Sequence, residues 1–439
     1  MSRLGIALFS VAAFGACDPA TLKHTPDAAK QSDAAPDAPP PHGPVQVTVY
    51  DPNNQGTLAV GVPVVFIEAD GTVVGRPLTD SSGVATSDVH ANATATAVIA
   101  GAAGSTTTMM TIVGVQPNDK IILGNSVNSS STMDGTFTIN YPAYSGAASY
   151  NVVGPCGNYN VGNVTSYAIT IYSNCKQSAM DILVVANNAS NQPIAYLEKP
   201  NVPYTAGGST FVSGTYLLPG TFNASYTNID ASIANLSFNR QAPAGYAGYN
   251  SSTSGAPANG TVSLSGPAFN AQTSSVLTRI NRSSQQNIVY QNMAGNATTY
   301  AMDVGATLLP WIGPVTADFA NGKVMVPVDT TGTTNDPLDL FYLMFNYGRP
   351  DGSGGNLSFR WYVLGQTPGD VTLPALPAEV GDVMPQAADT AGTAISVLVE
   401  STNLTWDQVR AAPFDAIATL SPPTDTTTRL RESAFFPLR

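Results

Sequence analysis

From residue 45 onward, apolar and polar residues alternate in short runs cut by Gly, Asn, Ser and Pro. Val45, Val47 and Val49 occupy every second place, the period of a strand with one buried face. The turn Asp51-Pro-Asn-Asn-Gln-Gly56 follows, then an apolar run over residues 62–67 closed by Asp70-Gly71. Thr79-Asp-Ser-Ser-Gly-Val-Ala-Thr86 reads as a turn feeding a strand. The glycine of Ser-Ser-Gly accepts positive φ, and the β-branched residues beside it favour the pleat. Residues 95–99 supply a further strand.

The pattern repeats down the chain. Strands are expected over 137–141, 150–153, 167–172 and 180–186, and then over 216–226, 235–239, 260–266 and 275–282. The strongest runs come last: aromatic-rich 338–346, the alternating Leu357, Phe359, Trp361 and Val363, and 395–399. Trp361 and Trp406 read as core anchors. Thr405-Trp-Asp-Gln408 has the spacing of a capping box and predicts a one- or two-turn helix ended by Pro413. The fold class is therefore all-β, with tandem β-sandwich domains of Ig-like or fibronectin-III-like pattern. A sandwich is expected at 45–117, another at 132–214, a β-rich domain at 215–320 and a C-terminal sandwich at 323–439, since 439 residues exceed one ordinary core.

Composition adds exclusions. Charged residues are only 10% and the net charge is -12 at pH 7, with no basic cluster, so nucleic acid is not an expected partner. Residues 18–44, DPATLKHTPDAAKQSDAAPDAPPPHGP, hold almost nothing apolar larger than alanine and predict a disordered, extended Pro-rich tether. Ahead of them, Arg3 and the apolar residues 4–14 have the form of a secretory signal over 1–17, too short to span a bilayer.

Phe14-Gly15-Ala16-Cys17 resembles a bacterial lipobox. The resemblance implies a lipid on Cys17, membrane attachment through it and a cell-envelope location; the alternative is ordinary cleavage near Gly15 or Ala16 and secretion. Asp18 resembles the signal that retains some lipoproteins at the inner membrane, a rule that varies between lineages, so both membranes stay open. From Val45 to about Val115, the GVPVVF-type strand, the DG turn and the TDSSGVAT turn resemble bacterial Ig-like domains of the invasin type, and equally carboxypeptidase-regulatory-like domains. Either family implies a small β-sandwich used as spacer, stalk or binding module. If Cys17 carries lipid, Cys156 and Cys175 remain of the three cysteines, and in an oxidising compartment they are expected to pair; two separate buried thiols are the other reading.

The chain is poor in catalytic signatures. Of three histidines, His24 and His42 fall in the tether and His90 reads as a surface residue. There is no G-x-S-x-G, G-x-G-x-x-G or Walker loop. Ser173-Asn-Cys-Lys176 fits S-x-x-K but sits at a strand end, where serine and lysine do not share a helix face. Asp329, Asn335, Asp336 and Asp339 crowd a Gly/Thr-rich loop with the oxygen ligands calcium takes, yet such residues are turn formers first, so neither metal nor cofactor is expected. The loop 241–255, QAPAGYAGYNSSTSG, has the Tyr/Ser/Gly/Asn blend of antibody loops, and Tyr246 and Tyr249 are its candidate contacts for a polysaccharide or protein. The leading expectation is a non-enzymatic envelope lipoprotein with a structural or adhesive role. The alternatives are an envelope hydrolase using aspartates of the C-terminal region, and a periplasmic assembly scaffold.

Overall fold

The structure, a computed structural model, describes residues 42–435 apart from 55, 102–104, 127–130, 244, 247, 256–259, 270–272, 332, 334, 335, 353, 403, 404 and 415–428. Cys17, His24 and the expected signal and tether up to residue 41 lie outside the described residues. The fold is all-β, built of tandem β-sandwich modules. Among the described residues the α-helices are Val304–Thr307 and Trp406–Ala411. The second opens on the expected capping box: Thr405 Oγ1 accepts from the Gln408 N–H, while Gln408 Oε1 accepts from the Thr405 N–H at 3.0 Å.

In the first module, the sheet Val84–His90, His42–Val49, Lys120–Leu123 packs on Val64–Ile67, Ala93–Ile99 and Thr107–Val115. Val45, Val47 and Val49 all point into this core, and Gly83 takes φ 68° in the Ser-Ser-Gly turn. His42, expected in the tether, instead opens the first strand opposite His90, their rings 4.7 Å apart. Ladder hydrogen bonds need backbone rather than apolar side chains, so the strand runs past its hydrophobic stretch. His90 is a half-exposed surface residue whose Nδ1 lies 3.1 Å from Glu68.

The second module sets the sheet Gly157–Val161, Ser149–Gly154, Ala179–Asn187, Pro193–Pro203 against Ser166–Tyr172, Met133–Asn140, Ser209–Phe211. Cys156, in the hairpin of the first sheet, and Cys175, just past Ser166–Tyr172 of the second, form a disulfide with a Cα–Cα distance of 5.2 Å. The crosslink therefore ties the two layers together. In the third module, Gly260–Gly266, Gly220–Thr227 and Thr299–Asp303 cover Asn235–Gln241 and its neighbours.

These modules are not beads on a string. One twelve-stranded sheet joins the first and third of them through the C-terminal strands, in the order Asn250–Gly255, Asn235–Gln241, Thr273–Arg282, Gln285–Ala294, Arg429–Phe435, Thr390–Ser401, Leu340–Pro350, Asn356–Gly365, Thr107–Val115, Ala93–Ile99, Val64–Ile67, Val73–Gly75. The C-terminal strands lie between the first and third modules, joined to one by the parallel pair Trp361↔Met109 and to the other by the antiparallel pair Val289↔Arg431. Strand Val64–Ile67 is buried on both faces because Val64 and Phe66 enter the first core while Val65 and Ile67 enter a central one around Trp361 and Phe345. That is why residues 62–67 read as an unbroken apolar run. Leu357, by contrast, is exposed although it continues the alternation of Phe359, Trp361 and Val363. It sits at the turn end of the hairpin, opposite Arg349, beyond the reach of the central core.

Candidate functional site

Strand alternation in the second module gives its four-stranded sheet two apolar faces. Tyr150, Val152, Ile182, Val184 and Ala186 fill the module's own core. Val153, Leu183 and Val185 point the other way, where with Tyr196 they meet Tyr246, Tyr249 and Phe269 of the third module. Tyr246 and Tyr249 are 1% and 6% exposed, so they are not the contact platform expected of loop 241–255. Both rings are instead buried in the apolar cluster formed with the second module's outer face, and Tyr246 lies tilted against Phe269 with centroids 5.7 Å apart. The Tyr246 hydroxyl donates to Glu198 Oε1 at 2.8 Å. Burial and the nearby Asp181 raise the Glu198 pKa, against the Tyr246 bond, which lowers it. Burial also pushes the Tyr249 phenol up to about 12. The signal for this interface was present in residues 180–186, apolar on both faces and therefore covered on both.

Beyond the tyrosines the outward face turns polar, and a cleft of about 550 Å³ opens between the two modules. Its second-module wall carries a relay of amides across three adjacent strands: Asn187 Nδ2 donates to Asn151 Oδ1 at 2.6 Å, and Asn151 Nδ2 to Asn158 Oδ1 at 2.7 Å. Asn158 Nδ2 in turn donates to the Gly248 carbonyl of the facing module at 3.4 Å. Each amide spends one N–H of two in this relay. The turn after Ala179–Asn187 adds Asn191 and Gln192, and the third module contributes Asn250, Ser251, Ser252, Ser263 and Ser265. Pro193, Ile194 and Leu264 supply a narrow apolar strip, and Tyr249 forms part of the floor. Among the described residues lining the cleft there is no acid, amine, imidazole or thiol. The polar half of loop 241–255 thus does reach a cavity, while its aromatic half fastens two modules together.

The candidate calcium loop does not converge. Asp329 pairs with Arg282 at 2.8 Å, Asp336 with the buried Arg431 at 2.6 Å, and Asp339 accepts the Ser401 N–H at 2.7 Å. Three acids drawn to three separate partners leave no shared cage; Asn335 lies outside the described residues. Among the described residues no group of three or more His, Cys, Asp or Glu is placed to hold a metal. Acid pairs of the C-terminal region are committed to arginines: Asp336 and Glu400 to Arg431, and Asp382 and Asp389 to Arg349. Trp361 is fully buried in the central core, whereas Trp406 is half-buried and edges a second cavity, of about 420 Å³, shared with Val113 and Asp370. No described helix is long and apolar enough to cross a membrane.

No protein-family model and no curated protein matches the chain. Among solved structures, the Bacillus anthracis TIE protein is similar over 60% of this chain and 50% of that one, at 9% identity and a TM-score of 0.15. The pilus adhesin SpaC from Lactobacillus rhamnosus GG, in an open conformation, is similar over 77% of this chain and 44% of that one, at 10% identity and a TM-score of 0.14. The chain thus spans about half the length of each, and likenesses at these scores assign it no function.

Proposed function

We propose that this protein is an exported, non-catalytic binding protein of a bacterial cell envelope, with a structural or adhesive role towards a polysaccharide or protein. In this reading a lipid on Cys17 holds one end and the Pro-rich segment behind it keeps the β body clear of the membrane. The observation that carries it is the cleft between the second and third modules, whose amide and hydroxyl lining can hold a ligand and, among the described residues, supplies no group to take or give a proton near neutral pH. The lipobox-like Phe14-Gly15-Ala16-Cys17 and the tether composition support the location. The buried contact of Tyr246, Tyr249 and Phe269 with Val153, Leu183, Val185 and Tyr196 supports the role, since two modules fastened through an apolar contact keep the cleft beside it in shape.

Fatty-acid labelling of cells expressing the full chain, with mass analysis of the N-terminal peptide, tests the anchor. A diacylglyceryl adduct on Cys17, absent in Cys17→Ser, is expected; quantitative release of unlabelled protein into the medium would show secretion instead. Turnover of a polysaccharide or peptide by the purified chain would end the non-catalytic reading.

A further inference from the structure

We infer that the cleft between the second and third modules is a binding site for an uncharged oligosaccharide segment. This rests on the binding reading above and names its ligand. A sugar hydroxyl donates one hydrogen bond and accepts others, and the side chains that match it without charge are the carboxamide and the hydroxyl. These are the groups that dominate this cleft, from both modules.

Several of them are unspent. Asn250 and Ser265 are exposed and make no side-chain hydrogen bond to any described residue. Gln192 accepts from Asn188 Nδ2 at 3.2 Å and keeps its own two N–H donors free. The relay holds Asn151 and Asn158 in place before any ligand arrives, so the ordering cost of those side chains is already met in the folded protein. Ile194 and Leu264 give the C–H face of a sugar ring an apolar strip to rest on. The volume, about 550 Å³, falls within the range of about 300–1,000 Å³ typical of small-molecule sites.

Charge selects against the other candidates. A phosphate, sulfate or uronate would enter a cleft with no cation among its described lining residues, on a chain of net charge -12. A peptide adding to the edge strand Asn250–Gly255 would draw on backbone groups and leave the amide wall opposite it unmatched.

Native electrophoresis of the purified full chain, through gels holding in turn dextran, mixed-linkage β-glucan, xylan or galactomannan, tests the inference; alginate and gelatin are the acidic and peptide comparisons. Retardation by at least one neutral polysaccharide is expected, unchanged between about 20 and about 300 mM salt because no ion pair is made. The double variant Gln192→Ala/Asn250→Ala should lose about 10-fold in affinity, one hydrogen bond from each wall, with an unchanged unfolding midpoint because both side chains are exposed. Absence of retardation in every neutral gel overturns the inference, as does retardation that ignores the double variant. Retardation by alginate or gelatin alone overturns it too, while leaving the broader binding reading intact. Hydrolysis of the retarding polysaccharide would do the reverse, sinking the non-catalytic reading and keeping the cleft.

Discussion

Trp361 and Thr111, 250 residues apart in sequence, share a buried hydrogen bond of 2.8 Å from the indole Nε1–H to the threonine hydroxyl. Thr111 Oγ1 lies a further 2.9 Å from Thr96 Oγ1. The contact sits at the parallel seam where the C-terminal hairpin meets the first module, beside the pair Trp361↔Met109. It fixes the register of that seam, because a shift by one residue would turn Trp361 out of the central core.

Thr111→Val keeps the shape and removes the acceptor, leaving a buried indole N–H unpaired. A loss of about 1–3 kcal/mol is expected in urea unfolding. Hydrogen exchange should speed first along Thr107–Val115, and a uniform change across the chain would argue against a local seam.

The Cys156–Cys175 disulfide spans 19 residues and joins the two layers of the second module. Replacing both by serine should cost about 3 kcal/mol, the loop-closure value for a ring of this size. Non-reducing peptide mapping should show the two cysteines in one linked fragment.

Tyr246→Ala removes a ring packed between modules, so it should act as a core truncation of about 3–5 kcal/mol rather than as a surface change. Tyr246→Phe keeps the packing and takes away the hydroxyl that serves Glu198. Its cost should be smaller than that of Tyr246→Ala and should fade in acid, where Glu198 is protonated. Equal effects of the two variants would refute the packing role.

Burial raises the pKa of Glu432, only partly offset by Arg279. A carboxyl whose folded pKa lies above its unfolded value favours the fold while protonated, and that contribution is lost as pH rises through the folded value. Glu432→Gln should therefore raise the urea midpoint at about pH 7 and leave it unchanged at about pH 3. A gain of equal size at both would show that something other than ionisation is responsible.

Arg431 is fully buried with Glu400 and Asp336 each 2.6 Å away, and donates to the Thr307 carbonyl at 3.0 Å. Arg431→Met strands Glu400 in a largely enclosed site, and a loss of about 3–5 kcal/mol is expected. The double variant Arg431→Met/Glu400→Gln should recover much of it. No recovery would mean that packing, not the unpaired acid, sets the cost.

Much of this molecule was legible in its residues. Period-two alternation marked most strands, Thr405 and Gln408 marked the helix start, and Cys156 and Cys175 paired as expected, although across the two sheets of the second module, which the sequence did not show. Strand ends were less legible: His42 belongs to the first strand, and the expected run 216–226 begins as a strand only at Gly220–Thr227. The glycines and backbone ladders that set such limits carry no hydrophobic signal.

What the sequence determined by itself is which face of each strand must be hidden, since that depends on side chains two apart and on nothing distant. Which strands lie side by side was decided only by tertiary structure, because the period of a strand is silent about its partner. So Trp361 was recognisable as a core residue while its seam with Thr111 was not. Tyr246 and Tyr249 looked like a displayed pair until the second module's outer face was found waiting for them, and the neutral cleft exists only because that meeting brings amides of one module opposite serines of the other.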